Sequence, residues 1–227
     1  SISAPFIENF NNFFPVCWVQ DSTDEFDWTL NNGGTNSANT GPSDDVSGLG
    51  NYIYTEASNP RDDGDKAIVY SGSIDVSNLA NPELVFYYHM YGSAIGDLDI
   101  DLYNGNNYSN IFSLSGDQGN QWIQKRISFG TGGLSLTIIK FRITVTLSED
   151  SNGDTWPGDI AIDNFEVRES PSCPEVLYQT VNTSNSTISS TVIDWTAGGN
   201  ETAWNIEYGP LGFTLGTGAI VSFVTSN

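Results

Sequence analysis

The chemistry within reach of this sequence is concentrated in its carboxylates. Asp163 stands in Gly158-Asp159-Ile160-Ala161-Ile162-Asp163-Asn164-Phe165-Glu166-Val167, a stretch that alternates with the period of two of a β-strand. That alternation puts Asp163 on one face with Ala161 and Phe165, where a carboxylate is costly unless paired, hydrogen-bonded or bound to a metal. Phe6-Ile7-Glu8-Asn9-Phe10 repeats the oddity, with Glu8 between two aromatic residues. Hard cations take six to eight oxygen ligands from carboxylates, amides and carbonyls. One Ca²⁺ could therefore neutralise an inward carboxylate from each end of the chain. Backbone N–H groups or Lys66 could satisfy the same two side chains instead.

Other chemistries find less support. His89 is the only histidine and lies in the nearly continuous apolar run Leu84–Tyr91, the setting of a hydrogen-bonded core residue rather than a general base. Nucleophilic catalysis of the Ser/His/Asp or Cys/His type would depend on that one residue. With one His and two Cys far apart, Cys17 and Cys173, the donors for a structural zinc site are missing. A Cys17–Cys173 disulfide is possible in an oxidising compartment, with two buried free thiols as the alternative. Asp150-Ser151-Asn152-Gly153-Asp154 follows half of a calcium-loop pattern but lacks the later Glu. It reads, like Asp62-Asp63-Gly64-Asp65, as a solvated acidic turn. Trp156, Tyr103 and Tyr108, with Asn104, Asn106 and Asn107 nearby, have the side chains that stack on sugar rings and hydrogen-bond to their hydroxyls.

The elements that must hold these residues are strands. Gly, Asn, Ser and Thr abound, and alternating segments such as Tyr52–Glu56, Gly96–Tyr103, Trp122–Phe129 and Leu136–Leu147 are separated by turn-prone clusters, as in a β-sandwich. Asn31 to Gly50 is a long polar loop with Asp44-Asp45 near its end, and long loops in compact domains tend to carry function. Twelve Phe, ten Tyr and six Trp suffice for a packed core. Seven Lys and Arg against 28 Asp and Glu leave a net charge of −21. That argues against nucleic acid and anionic membranes as partners. No apolar run reaches transmembrane length. After Arg168 the texture changes: Pro171-Ser172-Cys173-Pro174 reads as a linker into shorter strands. The expected domains are residues 1–169 and 170–227.

Ordered pieces of the first domain resemble a MAM domain, an extracellular jelly-roll β-sandwich of receptors, proteases and bacterial secreted proteins. They are Phe6-Ile7-Glu8, Cys17-Trp18-Val19-Gln20-Asp21, Phe26-Asp27-Trp28, Thr40-Gly41-Pro42-Ser43-Asp44, Gly50-Asn51-Tyr52-Ile53-Tyr54, Phe86–Gly92, Gly119-Asn120-Gln121-Trp122 and Gly158–Asn164. That family has four cysteines in two pairs; this chain keeps only Cys17 and Cys173, so a bridge between them would differ from the family's. Residues 172–227 resemble the first part of a fibronectin type III domain of the kind common in secreted proteins of Bacteroidetes. Cys173-Pro174, Ile193-Asp194-Trp195, Trp204–Pro210 and Gly212–Gly218 carry that likeness, although a whole module takes roughly 100 residues.

The resemblances imply an all-β chain, a MAM-like jelly roll followed by a partial fibronectin type III-like sandwich. They imply a secreted or cell-surface recognition module, without catalysis of its own, for a protein or glycan partner at the cell surface or in the extracellular matrix. The alternative is a carbohydrate-binding or accessory module of a secreted polysaccharide-degrading enzyme or protease. The expected structural Ca²⁺ is held by Glu8 and Asp163, with Asp44 and Asp65 as further donors in a MAM-like sandwich. Trp156, Tyr103 and Tyr108 are the candidate ligand contacts.

Overall fold

The computed structural model describes all residues except 13, 16, 130–136, 172–180, 188–189, 197–201, 211–213, 215–216 and 226–227, and the side chain of residue 223. The chain divides into two units, Ser1–Ser170 and Pro171–Asn227.

The first unit is all β among its described residues. Its strands are β1 (Ile2–Ser3), β2 (Phe6–Glu8), β3 (Val19–Gln20), β4 (Thr29–Asn31), β5 (Tyr52–Thr55), β6 (Lys66–Tyr70) and β7 (Ile74–Asp75). They continue with β8 (Pro82–Met90), β9 (Asp97–Tyr103), β10 (Tyr108–Ser115), β11 (Ile123–Ser128), β12 (Ile138–Thr146) and β13 (Ile160–Glu169). Two sheets form the jelly-roll sandwich, each built on one long strand. In the first, β12 pairs β9 along one edge, with β10 beyond it; β6 and β7 share the other edge, with β3 and β1 outside them. In the second, β13 pairs β8, with β11 beyond; β5 and β2 share its other edge, and β4 lies outside β5.

Strand β12 shows why the pattern folds this way. Ile139, Phe141, Ile143 and Val145 are wholly buried, while Lys140, Arg142, Thr144 and Thr146 alternate with them on the outer face. Strand β13 starts by the same rule. Ile160 and Ile162 enter the main core, whereas Ala161 packs outward with Tyr52, Tyr54 and Trp122. Between Asp163 and Glu166 the register against β8 then slips by one residue, and Asn164 takes φ 48°. Asparagine is among the few residues that tolerate this left-handed backbone. The extra residue is a β-bulge, and it reverses the phase of every side chain after it. Phe165 and Val167 therefore lie in the core with Ile160 and Ile162. The expectation that Asp163 and Phe165 share a face is corrected: strict alternation cannot anticipate a residue inserted into the ladder.

Phe165 joins the two layers. Its ring meets Phe141 of the first sheet edge-on at 5.2 Å, Trp18 edge-on at 5.3 Å and Phe86 of the second sheet at 6.1 Å. Such aromatic contacts add to simple area burial. On the second sheet, buried Glu83 accepts from Arg126 and from Arg168 at 2.9 Å, so its charge is compensated where desolvation would otherwise be severe.

In the second unit, β14 (Asn182–Ser184) pairs with β15 (Val192–Asp194), and β16 (Trp204–Tyr208) pairs with β17 (Ala219–Val224). Buried Trp195 meets Trp204 edge-on at 5.3 Å. Cys173 lies outside the described residues. Cys17 is exposed and has no disulfide partner among the described ones.

Removing the ring at the layer junction, Phe165→Ala, should lower unfolding free energy by about 3–5 kcal/mol. Asn164→Gly, which keeps the left-handed backbone accessible, should stay within about 1 kcal/mol of the parent. Urea unfolding of both variants checks this; a reversed order would refute the assignment of the bulge.

Candidate functional sites

The bulge leaves Asp163 on the outer side of β13, under the loop that precedes β5. Only 1 % of the residue is exposed. One carboxylate oxygen accepts from the Val46 N–H at 3.1 Å and the other from the Asn164 N–H at 2.6 Å. Burial pushes its pKa up to about 7, the two N–H donors oppose that shift, and the Asp45 charge adds to it. Asp45 is itself buried. Burial alone would raise its pKa, but N–H groups of Gly50, Ser47 and Leu49 and the Ser47 hydroxyl outweigh it and hold it below the ordinary carboxylate value.

Gly50 shows how tightly oxygens crowd this corner. A Cβ there would stand 2.0 Å from Asn11 Oδ1 and 2.6 Å from Asp45 Oδ2. Asn11 Oδ1, which accepts from the Asn51 N–H at 2.7 Å, thus stands with Asp45 about Gly50, and Asp163 lies within reach of the Asp45 charge. Glu8 lies on the adjoining strand, paired in register with Phe165 rather than Asp163. Its Oε1 accepts from the Phe10 N–H at 2.9 Å, and burial raises its pKa despite that bond. Asp44 turns its carboxylate to the N–H groups of Gly33 and Asp45, while its carbonyl takes the Trp122 indole N–H. Asp65 belongs to a separate turn, bonded to Asp62 and through its carbonyl to Leu147. Among the described residues no three His, Cys, Asp or Glu side chains stand together as metal ligands. A cation here would complete its shell with the Asn11 amide and backbone carbonyls, which suits a hard ion.

A second buried acid escaped the sequence reading. Asp159 is wholly buried; Oδ1 accepts from the Ala57 N–H at 3.0 Å, and Oδ2 has no partner among the described residues. Burial lifts its pKa to about 7, helped by the Glu56 charge and opposed by the Ala57 N–H. Its own N–H bonds the Thr40 hydroxyl at 2.9 Å, so Asp159 ties the loops before and after β5 to the start of β13. Its one sequence signal was adjacency to a strand that already carried one misplaced acid.

His89 is buried, with Nε2 3.1 Å from Asn120 Oδ1 and its ring edge-on to Trp122 at 5.5 Å. Burial pushes its pKa down to about 4, so it stays neutral at physiological pH.

The aromatic candidates separate. Tyr103 and Tyr108 face each other across β9 and β10 with ring centroids 5.1 Å apart, and Tyr70 of β6, absent from the sequence reading, approaches Tyr108 at 5.9 Å. Arg142 lies over the Tyr108 ring at 4.9 Å and is clamped by Asp101 at 2.8 Å. Trp156 sits apart, in the loop before β13, 39 % exposed. What joins the tyrosines is cross-strand register, which residue spacing alone does not reveal.

Comparison with known proteins places this architecture. The family model described as "MAM domain, meprin/A5/mu" matches residues 9–174. MAM domain-containing glycosylphosphatidylinositol anchor protein 1 of Gallus gallus is 38 % identical over 170 residues, which is 70 % of this chain and 17 % of that protein. Its counterpart in Homo sapiens is 37 % identical over 174 residues, 70 % of this chain and 16 % of that protein. Neuropilin-1 of Xenopus laevis is 32 % identical over 167 residues, 71 % of this chain and 17 % of that protein. The chain thus spans about a sixth of the length of these relatives. Among solved structures, a cleaved adhesin domain of Lys-gingipain from Porphyromonas gingivalis superposes with TM-score 0.48 at 15 % identity, covering 73 % of this chain and 98 % of that one. A family 29 carbohydrate binding module gives TM-score 0.38 at 12 % identity, over 71 % and 84 % of the two chains. With a family match over residues 9–174 and a two-sheet sandwich built on the matching segments, the chain belongs to the MAM domain family.

Proposed function

We propose that this chain is a non-catalytic recognition module of a larger secreted or cell-surface protein, and that it engages a protein or glycan partner outside the cell. The observation that carries the reading is membership in the MAM family. Relatives named for a glycosylphosphatidylinositol anchor support the location. Two features of the molecule agree with a module that does not turn over substrate. Its one histidine is buried and neutral, and the two carboxylates whose pKa is raised to about 7, Asp159 and Asp163, are buried as well. Residues 170–227 are read as the first part of a fibronectin type III module, on the strength of Trp195 and Trp204–Tyr208. Surfaces coated with the purified chain should retain extracellular-matrix glycoproteins or polysaccharides saturably and without cleavage. Turnover that scales with the amount of chain, or retention of neither class, would refute the reading.

The module is stabilised, in the same proposal, by one structural Ca²⁺ at the acidic corner. Asp163, Asp45 and Asn11 stand at the centre of that site, and Glu8 and Asp44 lie at its edge. A carboxylate whose pKa is raised by burial is relieved by a cation, and that relief supports the assignment.

Calcium and pH should act on Asp163 with opposite signs. Its folded pKa, about 7, exceeds the ordinary 3.8. Without a cation, the stability linked to it is full below that ordinary value and is lost as pH rises through about 7. In chelator, stability of the parent relative to Asp163→Asn should therefore fall as pH rises from about 4 to 8. Saturating Ca²⁺ should cancel that fall and, at a hundredfold excess over Kd, stabilise the parent by about 3 kcal/mol. The variant should not respond. Thermal melts with and without chelator decide it, and a parent melting temperature indifferent to Ca²⁺ would remove the ion from the reading.

A further inference from the structure

The outer face of the first sheet carries a continuous row of side chains that the core does not use. Across it, in register, run Tyr70 of β6, Arg142 of β12, Asp101 of β9 and Asn110 of β10. One step along the strands comes a second row, Lys140, Tyr103 and Tyr108. On the other side of Arg142 lies a third, Ile68, Thr144, Asp99 and Ser113. Neighbouring strands stand about 4.8 Å apart, so the rows make a surface a little under 15 Å wide from β6 to β10.

Two depressions meet on this face at the Arg142–Tyr108 stack. One, of about 530 Å³, is floored by Tyr70, Tyr108 and Lys140 and rimmed by Val19 and Gly72. The other, of about 310 Å³, is lined by Asp99, Asn110, Arg142 and Thr144. The aromatic floor is rigid. The Tyr70 hydroxyl donates to Asp21 at 2.8 Å, the Tyr103 hydroxyl donates to the Gly105 carbonyl at 2.9 Å, and Asp101 fixes the Arg142 guanidinium.

Against this fixed background, three polar groups at the surface are left unused by the protein's own hydrogen bonds. Among the described residues, neither the Tyr108 hydroxyl nor the Lys140 ammonium has a hydrogen-bond or ion-pair partner, and Asp99 engages only Oδ1, with Asn110. The groove thus offers a π-face, a cationic donor, a hydroxyl and a carboxylate acceptor. This combination suits a ligand with an apolar ring face edged by hydroxyls that both donate and accept.

Charge selects among such ligands. Arg142 is neutralised by Asp101, and the remaining Lys66 and Lys140 are balanced on the same face by Asp97 and Asp99. The face has no cationic excess, and the whole chain carries −21. A polyanionic ligand would be repelled.

We propose that this tyrosine face of the first sheet binds a neutral oligosaccharide, with one pyranose ring packed against Tyr108 beside Lys140 and a further ring of the same saccharide bonded to Asp99. The inference deepens the recognition reading and rests on it.

The test is calorimetric titration of the whole chain with neutral hexasaccharides of the cellulose, xylan, mannan and β-1,4-galactan types, and with oligogalacturonate as the charged counterpart. At least one neutral sugar should bind and oligogalacturonate should not. Tyr108→Ala should weaken binding about tenfold or more, the scale of one lost aromatic contact. Tyr108→Phe should retain most of the affinity, and Trp156→Ala all of it. Lys140→Ala, on an outward position that leaves the core intact, should weaken binding several-fold and guards against misfolding of the tyrosine variant. Binding that survives both Tyr108→Ala and Lys140→Ala, or binding of oligogalacturonate alone, overturns the assignment. So does the absence of sugar binding by a chain that still captures a matrix protein, an outcome that leaves the recognition reading standing. A chain that captures neither sugar nor matrix protein brings down both.

Discussion

Between Asp163 and Glu166, β13 carries one residue more than the strand it pairs with, and the two sides of the sandwich are organised by that insertion. Before it, odd-numbered residues of β13 face outward; after it, they face the core. Asn164 takes the left-handed conformation the insertion needs. Phe165 can then reach Phe141 and Trp18 inside the sandwich, while Asp163, two residues earlier, is left outside under the loop before β5. A single backbone irregularity thus separates the aromatic junction of the core from the acidic corner. Both are conditions of the fold: the first supplies apolar contact between sheets, and the second fastens a long polar loop to the central strand.

Acids help to hold the loops. Asp163 receives Val46, Asp159 receives Ala57, and Asp45 receives Leu49. Each gathers backbone N–H groups that would otherwise lie unpaired in a covered segment. The arrangement leaves Asp159 and Asp163 with pKa values pushed to about 7, near neutral pH. Near neutral pH such carboxylates sit close to the midpoint between their charged and neutral forms. The outer face of the first sheet follows a different logic, because Asp101 is paired with Arg142 and two of its tyrosines, Tyr70 and Tyr103, are fixed by hydrogen bonds. One region of the molecule is tuned by burial, the other by cross-strand register.

How much of this was legible can be argued residue by residue. The alternation of β12 was readable, since apolar and polar residues take strict turns there and the strand keeps its register throughout. The oddity of Asp163 was readable as well, because a carboxylate in an apolar strand is an anomaly in any fold. The face it shares was not, since the bulge costs only one asparagine and asparagines are common throughout this chain. Of Asp44 and Asp45 it is Asp45 that is buried, and nothing in two adjacent acids of one loop tells which turns inward. Tyr103 and Tyr108 were readable as candidate contacts from their residue type, but what sets them face to face is the register of β9 and β10. Tyr70 joins them only because β6 lies beside β12, and β12 beside β9. Trp156, grouped with them by composition, occupies a different loop.

The sequence by itself determined the class of the molecule. Period-two patterning, abundant turn residues and ordered MAM-like segments are local properties of the chain, and a sandwich is the way such strands bury their apolar faces. Its acidic excess, likewise a sum over residues, is the property that argues against nucleic acid and anionic membranes as partners. Only the tertiary structure decided which acids are buried, which loop covers them, and which aromatic rings share a surface. These depend on strand order, on register and on one inserted residue, and each is a relation between segments far apart in the chain. Local pattern cannot encode such a relation, because the energy that fixes it comes from packing and desolvation that exist only once the sheets have closed.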